Sequence, residues 1–226
     1  MALLPRRFQR LDFVLNHRMS DLTVVLDNVE KSHNLSAILR SCDAVGITEA
    51  YAINFATQLR VFKSTALGSQ KWIRLNNDTT MGQTITRLKQ RGFKIYGTQI
   101  NIASLEYHQC DFVGPTAFVL GAEKWGLSEI TTHLIDQSIS IPMMGMVQSL
   151  NVSVAAAILL FEVLRQRQVN QTLPTMGEGL SLAHRHKLLF EYSYPRIADG
   201  YRKRNSPYPN INDYGQIIKD FEQPMD

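Results

Sequence analysis

A chain of 226 residues, 44% of them hydrophobic, is long enough to bury one generous core, with or without terminal additions. Its two cysteines, Cys42 and Cys110, have no paired spacing, which argues against a disulfide framework and a zinc site, so no metal is expected. The net charge of +4 is uneven: Arg6, Arg7, Arg10 and Arg18 face only Asp12 in the first 18 residues, and residues 165–210 hold eight basic against three acidic side chains, leaving the centre net negative.

Basic flanks around such a centre suit a polyanionic partner, because phosphate contacts supply much of nucleic-acid affinity. The opening "MALLPRRFQRLDF" has no apolar stretch followed by a small-residue cleavage site, so the cytoplasm is the expected compartment.

In chain order, Phe8, Leu11, Val14 and Leu15 fall on one face of a helix ringed by arginines, a basic extension over residues 1–18. Strands are expected at 22–26, 49–55, 71–75, 93–98, 116–122 and 138–143, where short β-branched or aromatic runs are bounded by polar or turn residues. Helices are expected between several of them, at about 34–45, 79–91 and 127–134. This alternation of near-continuous apolar strands with helices indicates an α/β domain over 19–169 with a mostly parallel sheet covered on both faces. The run "VSVAAAILLFE" reads as a helix buried in protein, since its longest unbroken apolar stretch, Val154 to Phe161, is far short of the roughly 20 residues that span a bilayer. Residues 170–226 form a C-terminal extension: a linker, a basic helix at "LSLAHRHKLLFEYSY", and a tail "YRKRNSPYPNINDYGQ" with no helical period, read as an extended strap.

Three segments stand out chemically. In "KSHNLSAILRSCDAVGI", Leu35, Ile38, Leu39, Cys42 and Val45 share the face expected to meet the sheet, so Arg40 projects away from it among small residues such as Ser36 and Ala37. Ser32 or Asn34 can cap this helix. On this segment alone, a capped amphipathic helix with a solvated arginine is the simpler explanation. In "VLGAEKWGLS", Gly121 stands where a strand ends, permitting close backbone approach by a ligand, and Glu123 falls at the sheet rim, where α/β proteins bind ligands. In "IPMMGMVQSLNVSVAAAILL", a turn at Gly145 leads to Ser149 or Asn151 at a helix start; backbone groups of the Met-Gly-Met loop can meet a ligand, although the methionines serve equally as core filler. No G-x-G-x-x-G follows a strand, and Ser149 has no histidine–acid pattern of a hydrolase.

Together, in this order and at these separations, "NLSAILR", "VLGAEKWGLS" and "IPMMGMVQSLNVSVAAAILL" closely resemble the three motifs of the SPOUT superfamily of RNA methyltransferases. The segment "LLFEYSYPRIADGYRKRNSPYPNIN" is similar to the C-terminal extension of its tRNA guanosine-18 ribose-methylating branch. The resemblance implies a deep C-terminal trefoil knot, which general topology rules would argue against. It implies S-adenosyl-L-methionine as cofactor, bound by Thr98, Gly121, Ile141, Met146 and Leu150, and functional residues Asn34, Arg40, Glu123, Ser149 and Asn151. It also implies an obligate homodimer in which Arg40 of one chain meets the cofactor of the other. The partner expected is tRNA, not DNA, with Arg7, Lys89, Arg165, Arg167, Arg202, Lys203 and Arg204 along its path. A related enzyme acting on ribosomal RNA is the rival reading; such enzymes commonly carry an N-terminal RNA-binding domain, for which the 33 residues before Asn34 are too few. A catalytically inactive RNA-binding or chaperone module is the rival of another class.

Overall fold

The computed structural model describes residues 5–29, 31–53, 71–122, 125–175 and 178–218. Seven strands are formed among them: β1 (Leu22–Asp27), β2 (Glu49–Ile53), β3 (Arg74–Asp78), β4 (Lys94–Thr98), β5 (Leu105–Glu106), β6 (Thr116–Leu120) and β7 (Gln137–Ser140). They lie in the order β3-β2-β1-β6-β4-β7-β5, and all neighbouring pairs are parallel.

Two strands from the apolar runs "LTVVLD" and "TAFVL" take the centre, buried at every position. Because successive side chains leave a strand on opposite faces, these runs feed two core layers at once. Val24, Leu26, Phe118 and Leu120 pack with Leu35, Ile38 and Leu39 of α2 (Ser32–Ala44) and Leu159 and Leu160 of α5 (Val152–Val169). Val25, Ala117 and Val119 turn to the other layer, with Ile85 and Leu88 of α3 (Met81–Gln90). Each fully buried side chain of this kind contributes about 1.5–3 kcal/mol. The short helix α4 (Glu129–Leu134) lies beside α3. The sheet is thus covered on both faces, as the continuous apolar strands require.

Two local expectations are corrected, and one short strand, β5, was not expected. The run at 71–75 enters the sheet only from Arg74, because the register is set by pairing with β2, Glu49 opposite Arg74, and not by the apolar residues ahead of it. The two-residue β5 has no run long enough to show a period of two. Helix α2 is preceded by Lys31 without a side-chain cap, so neither Ser32 nor Asn34 caps it; Asn34 is buried instead.

Arg167 requires a larger correction. On the last turn of α5 its side chain is only 1% exposed and faces inward. It pairs with Asp21 at 2.7 Å and donates to the carbonyls of Phe112, Gly114 and Asp21 at 2.9–3.3 Å. The guanidinium is occupied in joining the loops that precede β1 and β6, so it is not a phosphate contact. Arg167→Met is expected to destabilise the protein by about 3 kcal/mol, since Asp21 stays partly solvated while buried carbonyls lose their donor. Denaturant unfolding measures this, and an unfolding free energy within about 1 kcal/mol of wild type would contradict the clamp.

Residues 1–18 and 174–226 form a second compact unit, apart from 19–173. In it, helix α1 (Pro5–Asn16) packs on α6 (Leu182–Ser193), burying Phe8, Leu11 and Leu15. Asp12 is ion-paired with Arg185, whose Nε also donates to Asn16 Oδ1 at 2.9 Å. The tail is less extended than its sequence suggests. A third helix, α7 (Pro195–Lys203), opens on a proline at its first position, where the missing N–H costs nothing, and takes in Tyr201, Arg202 and Lys203. Beyond it Tyr208 stacks on Phe190 at 4.7 Å and donates to Glu191 at 2.8 Å. Burial, reinforced by that carboxylate, pushes the Tyr208 hydroxyl up to about 12.

Candidate cofactor cleft and active site

The carboxyl ends of β4, β6 and β7 open into a cleft of about 950 Å³. Parallel sheets commonly bind ligands beyond their strand ends, and the volume matches a small-molecule site. Thr98 ends β4, Gly121 follows β6, Ile141 follows β7, and all three line the cleft. So do Ser149 and Leu150, just ahead of α5. Met146 is not among the wall residues and is 99% exposed. Met143 and Val147 of the same loop line the wall instead.

Gly121 is irreplaceable on steric grounds. A Cβ there would lie 2.2 Å from the carbonyl carbon of Gly126 and 2.5 Å from the nitrogen of Leu127. The loop is folded this tightly because Ala122 and Gly126 exchange both main-chain hydrogen bonds, at 3.0 and 2.8 Å, with Gly126 at a φ of +67°. Glu123, between them, lies outside the described residues.

Asp27, a residue that sequence reasoning passed over, secures the far end of this loop. Its buried carboxylate accepts from Ser128 N at 2.8 Å, Thr131 Oγ1 at 2.7 Å and Asn28 Nδ2 at 3.0 Å. Ser128 in turn caps α4 through the N–H of Thr131. A carboxylate closing an otherwise apolar strand was the available signal, since burying a charge is costly unless its hydrogen bonds are satisfied.

The first and third segments are joined by a hydrogen bond between two asparagines. Asn151 is the N-cap of α5: its Oδ1 accepts from Ser153 N at 2.8 Å, and its Nδ2 donates to Asn34 Oδ1 at 3.1 Å. This pair joins α2 to the edge of the cleft across 117 positions of sequence. Arg40 is exposed on α2, outside the wall of its own cleft. Ser36, expected to leave space beside it, is fully buried, because α2 also packs against α5.

The basic residues fall in different settings. Arg165 is 61% exposed but forked onto Glu162 at 2.7 and 2.8 Å, and it holds that carboxyl below its usual range. Lys89 pairs with Asp136 at 2.6 Å. Arg7, Arg202, Lys203 and Arg204 are exposed in the terminal unit, Arg202 being paired with Asp199 and Glu191.

The cleft residues fit an adenosine-bearing cofactor: a glycine cradle too close for any side chain, apolar walls from Ile139, Ile141 and Leu150, and a buried acceptor, Gln99 Oε1, without a hydrogen-bond partner among the described residues. Residues 21–161 match the model of the SpoU rRNA Methylase family, and residues 165–220 match that of the SpoU rRNA methylase C-terminal region. The chain therefore belongs to the SpoU methylase family, in agreement with the resemblance its three segments carry. It is 39% identical over 96% of its length to the tRNA (guanosine(18)-2'-O)-methyltransferase of Escherichia coli K12, covering 94% of that protein. To the Thermus thermophilus enzyme of the same name it is 50% identical over 71% of this chain and 83% of that one. Among solved structures, it is similar to the A. aeolicus TrmH/SpoU tRNA modifying enzyme, with a TM-score of 0.79, 36% identity, and coverage of 85% of this chain and 97% of that one. It also resembles the SpoU methyltransferase AviRb of Streptomyces viridochromogenes in complex with AdoMet, with a TM-score of 0.61, 29% identity, and coverage of 67% and 62%.

Proposed function

We propose that this protein transfers the methyl group of S-adenosyl-L-methionine to the ribose 2′-hydroxyl of guanosine 18 in the D-loop of tRNA, acting as a cytoplasmic homodimer. The observation that carries this reading is the convergence of the three segments on one cleft, with Gly121, Ile141 and Leu150 in its wall and Asn151 bonded to Asn34 at its edge. Likeness over 96% of the chain to an enzyme named for guanosine 18 of tRNA favours tRNA over ribosomal RNA.

When bound, the cofactor supplies an activated methyl group on its sulfonium, so the protein needs only to position a hydroxyl in line and help its proton leave. Thr98, Gly121, Ile141 and Leu150 would hold the cofactor. Ser149, with the Asn151–Asn34 pair beside it, shapes the mouth where the ribose enters, and Glu123, outside the described residues, remains a functional candidate by its motif. Arg40 grips the substrate phosphate and polarises the hydroxyl: a guanidinium offers donors and no acceptor, so the proton passes to phosphate or water. Positioning of this kind contributes on the order of 7 kcal/mol in favourable cases.

The dimer reading is supported by α5, apolar on nearly every side yet with Val154 47% and Phe161 51% exposed; these lie two turns apart on one side, a surface a second copy would cover. A second copy would also bring Arg40 to the cleft that its own chain leaves without it. The trefoil reading is supported by the strand order: β6 enters between β1 and β4, and β7 then returns between β4 and β5. Among the described residues no helix is long and apolar enough to cross a membrane.

The terminal unit docks tRNA through Arg7, Arg202, Lys203 and Arg204, and Lys89 and Arg165 are separate candidate phosphate contacts in the unit that holds the cleft. Replacing Lys203 and Arg204 together by alanine is expected to weaken binding and flatten its salt dependence by about 0.7–0.9 in the logarithmic slope for each phosphate no longer neutralised. Arg167→Met, whose guanidinium is buried, serves as the control with an unchanged slope. An unaltered slope in the double variant would defeat the charge argument.

The function itself is tested by methyl transfer from labelled cofactor to bulk tRNA and ribosomal RNA, followed by nucleoside analysis. The expected product is 2′-O-methylguanosine in the D-loop, detected also as resistance of the adjoining phosphodiester to alkaline cleavage. A methyl on a base, or labelled ribosomal RNA with blank tRNA, would overturn the reading. Cofactor binding without any transfer would favour the inactive module.

A further inference from the structure

We propose that the side-chain carbonyl oxygen of Gln99 is a recognition point for the adenosine portion of the bound cofactor, accepting a hydrogen bond from one of its uncharged N–H or O–H donors. This rests on the reading of the cleft as the S-adenosyl-L-methionine site.

Gln99 follows β4 and lines the cleft. Its main chain is fully engaged: the N–H donates to Ile139 O at 3.0 Å, and the carbonyl accepts from Ser104 Oγ at 2.7 Å. The neighbouring Thr98 hydroxyl is engaged too, donating to Val119 O at 3.2 Å. At this point of the wall the acceptor left over is Gln99 Oε1, which is buried and has no hydrogen-bond partner among the described residues. Buried polar atoms are nearly always satisfied, and an orphan in a binding cleft is accounted for when a ligand brings the missing donor.

The surroundings decide which donor. The cofactor offers an adenine amine, two ribose hydroxyls and the ammonium of its methionine end. Gln99 shares the cleft wall with Ile100, Ile139 and Ile141. An adenosine fits such apolar neighbours and one neutral acceptor, whereas an ammonium is costly to bury among them. Gln99 thereby selects for the nucleoside end and fixes its register against the glycine cradle at Gly121.

The test compares wild type with Gln99→Leu, which keeps the bulk and removes the acceptor. Binding of S-adenosyl-L-methionine and of 5′-methylthioadenosine, which lacks the amino-acid end, is measured by calorimetry, and melting temperatures are recorded without ligand. The leucine variant is expected to bind both ligands about 3- to 10-fold more weakly, the net worth of one such hydrogen bond, while its ligand-free melting temperature is unchanged or higher because a buried orphan has gone. The assignment is overturned if the leucine variant binds within twofold of wild type, if its ligand-free stability falls together with its affinity, or if only the ligand with the methionine end is affected. Failure of the wild-type protein to bind S-adenosyl-L-methionine overturns instead the cofactor reading beneath it.

Discussion

Replacing Arg40 by alanine is expected to lower methyl transfer at least about 10²–10³-fold, the usual consequence of removing a donor aimed at charge that develops in a transition state. Affinity for S-adenosyl-L-methionine is expected to stay within about twofold of wild type, because Arg40 is exposed on α2 and absent from the wall of the cleft. The combination is diagnostic. A residue needed for folding would reduce both quantities, and a cofactor ligand would reduce binding first. Arg40→Lys should also be poor, since a compact ammonium does not reproduce the planar fork that grips a phosphate. Single-turnover transfer assays and cofactor calorimetry on the same preparations supply both numbers. Turnover near wild type in either variant would remove Arg40 from the mechanism. If the dimer reading holds, mixing the Arg40→Ala chain with a chain defective in the cofactor cleft should restore part of the activity, because each mixed dimer then contains one intact composite site.

Gly121→Ala should produce the largest loss of cofactor binding. The added methyl would stand 2.2–2.5 Å from three main-chain atoms of Gly126 and Leu127, which cannot rotate away as a flexible side chain would. Overpacking ordinarily costs about 1–3 kcal/mol, and contact with backbone places this case at or above the upper limit. For a chain of this size that corresponds to a fall of roughly 6–12 °C in melting temperature. The loop can relieve the clash only by giving up the paired hydrogen bonds between Ala122 and Gly126, which form the floor on which the cofactor would lie. Binding of S-adenosyl-L-methionine should therefore become undetectable even at temperatures where the variant remains folded. Circular-dichroism melts and calorimetry distinguish the two effects, and a folded variant with unimpaired affinity would refute the cradle.

How legible this protein is from its sequence depends on the range over which each feature is decided. Short-range features are plain. The runs at β1 and β6 are apolar at nearly every position, which suits central strands, and the spacing of Leu35, Ile38, Leu39 and Cys42 makes a one-faced helix of α2. The three segments indicate the family without any knowledge of contacts. Asn151 announces the start of α5 because N-caps are chosen by local chemistry.

What the tertiary structure decided were pairings between residues far apart in the chain, for which no local pattern exists. Asn34 suits a helix cap by its position in the sequence but points into the structure toward Asn151, because α5 packs where solvent was expected. Arg167 and Lys203 are indistinguishable as letters in basic stretches. One is buried on Asp21 and three carbonyls, whereas the other stands exposed on α7. Asp27 and Gln99 carry no motif, and their roles arise only where Ser128, Thr131 and Ile139 arrive from later strands and loops. Periodicity reports which side of an element is apolar. It cannot report what will pack against the other side, and on that the charge, the orphaned acceptor and the cap all depend.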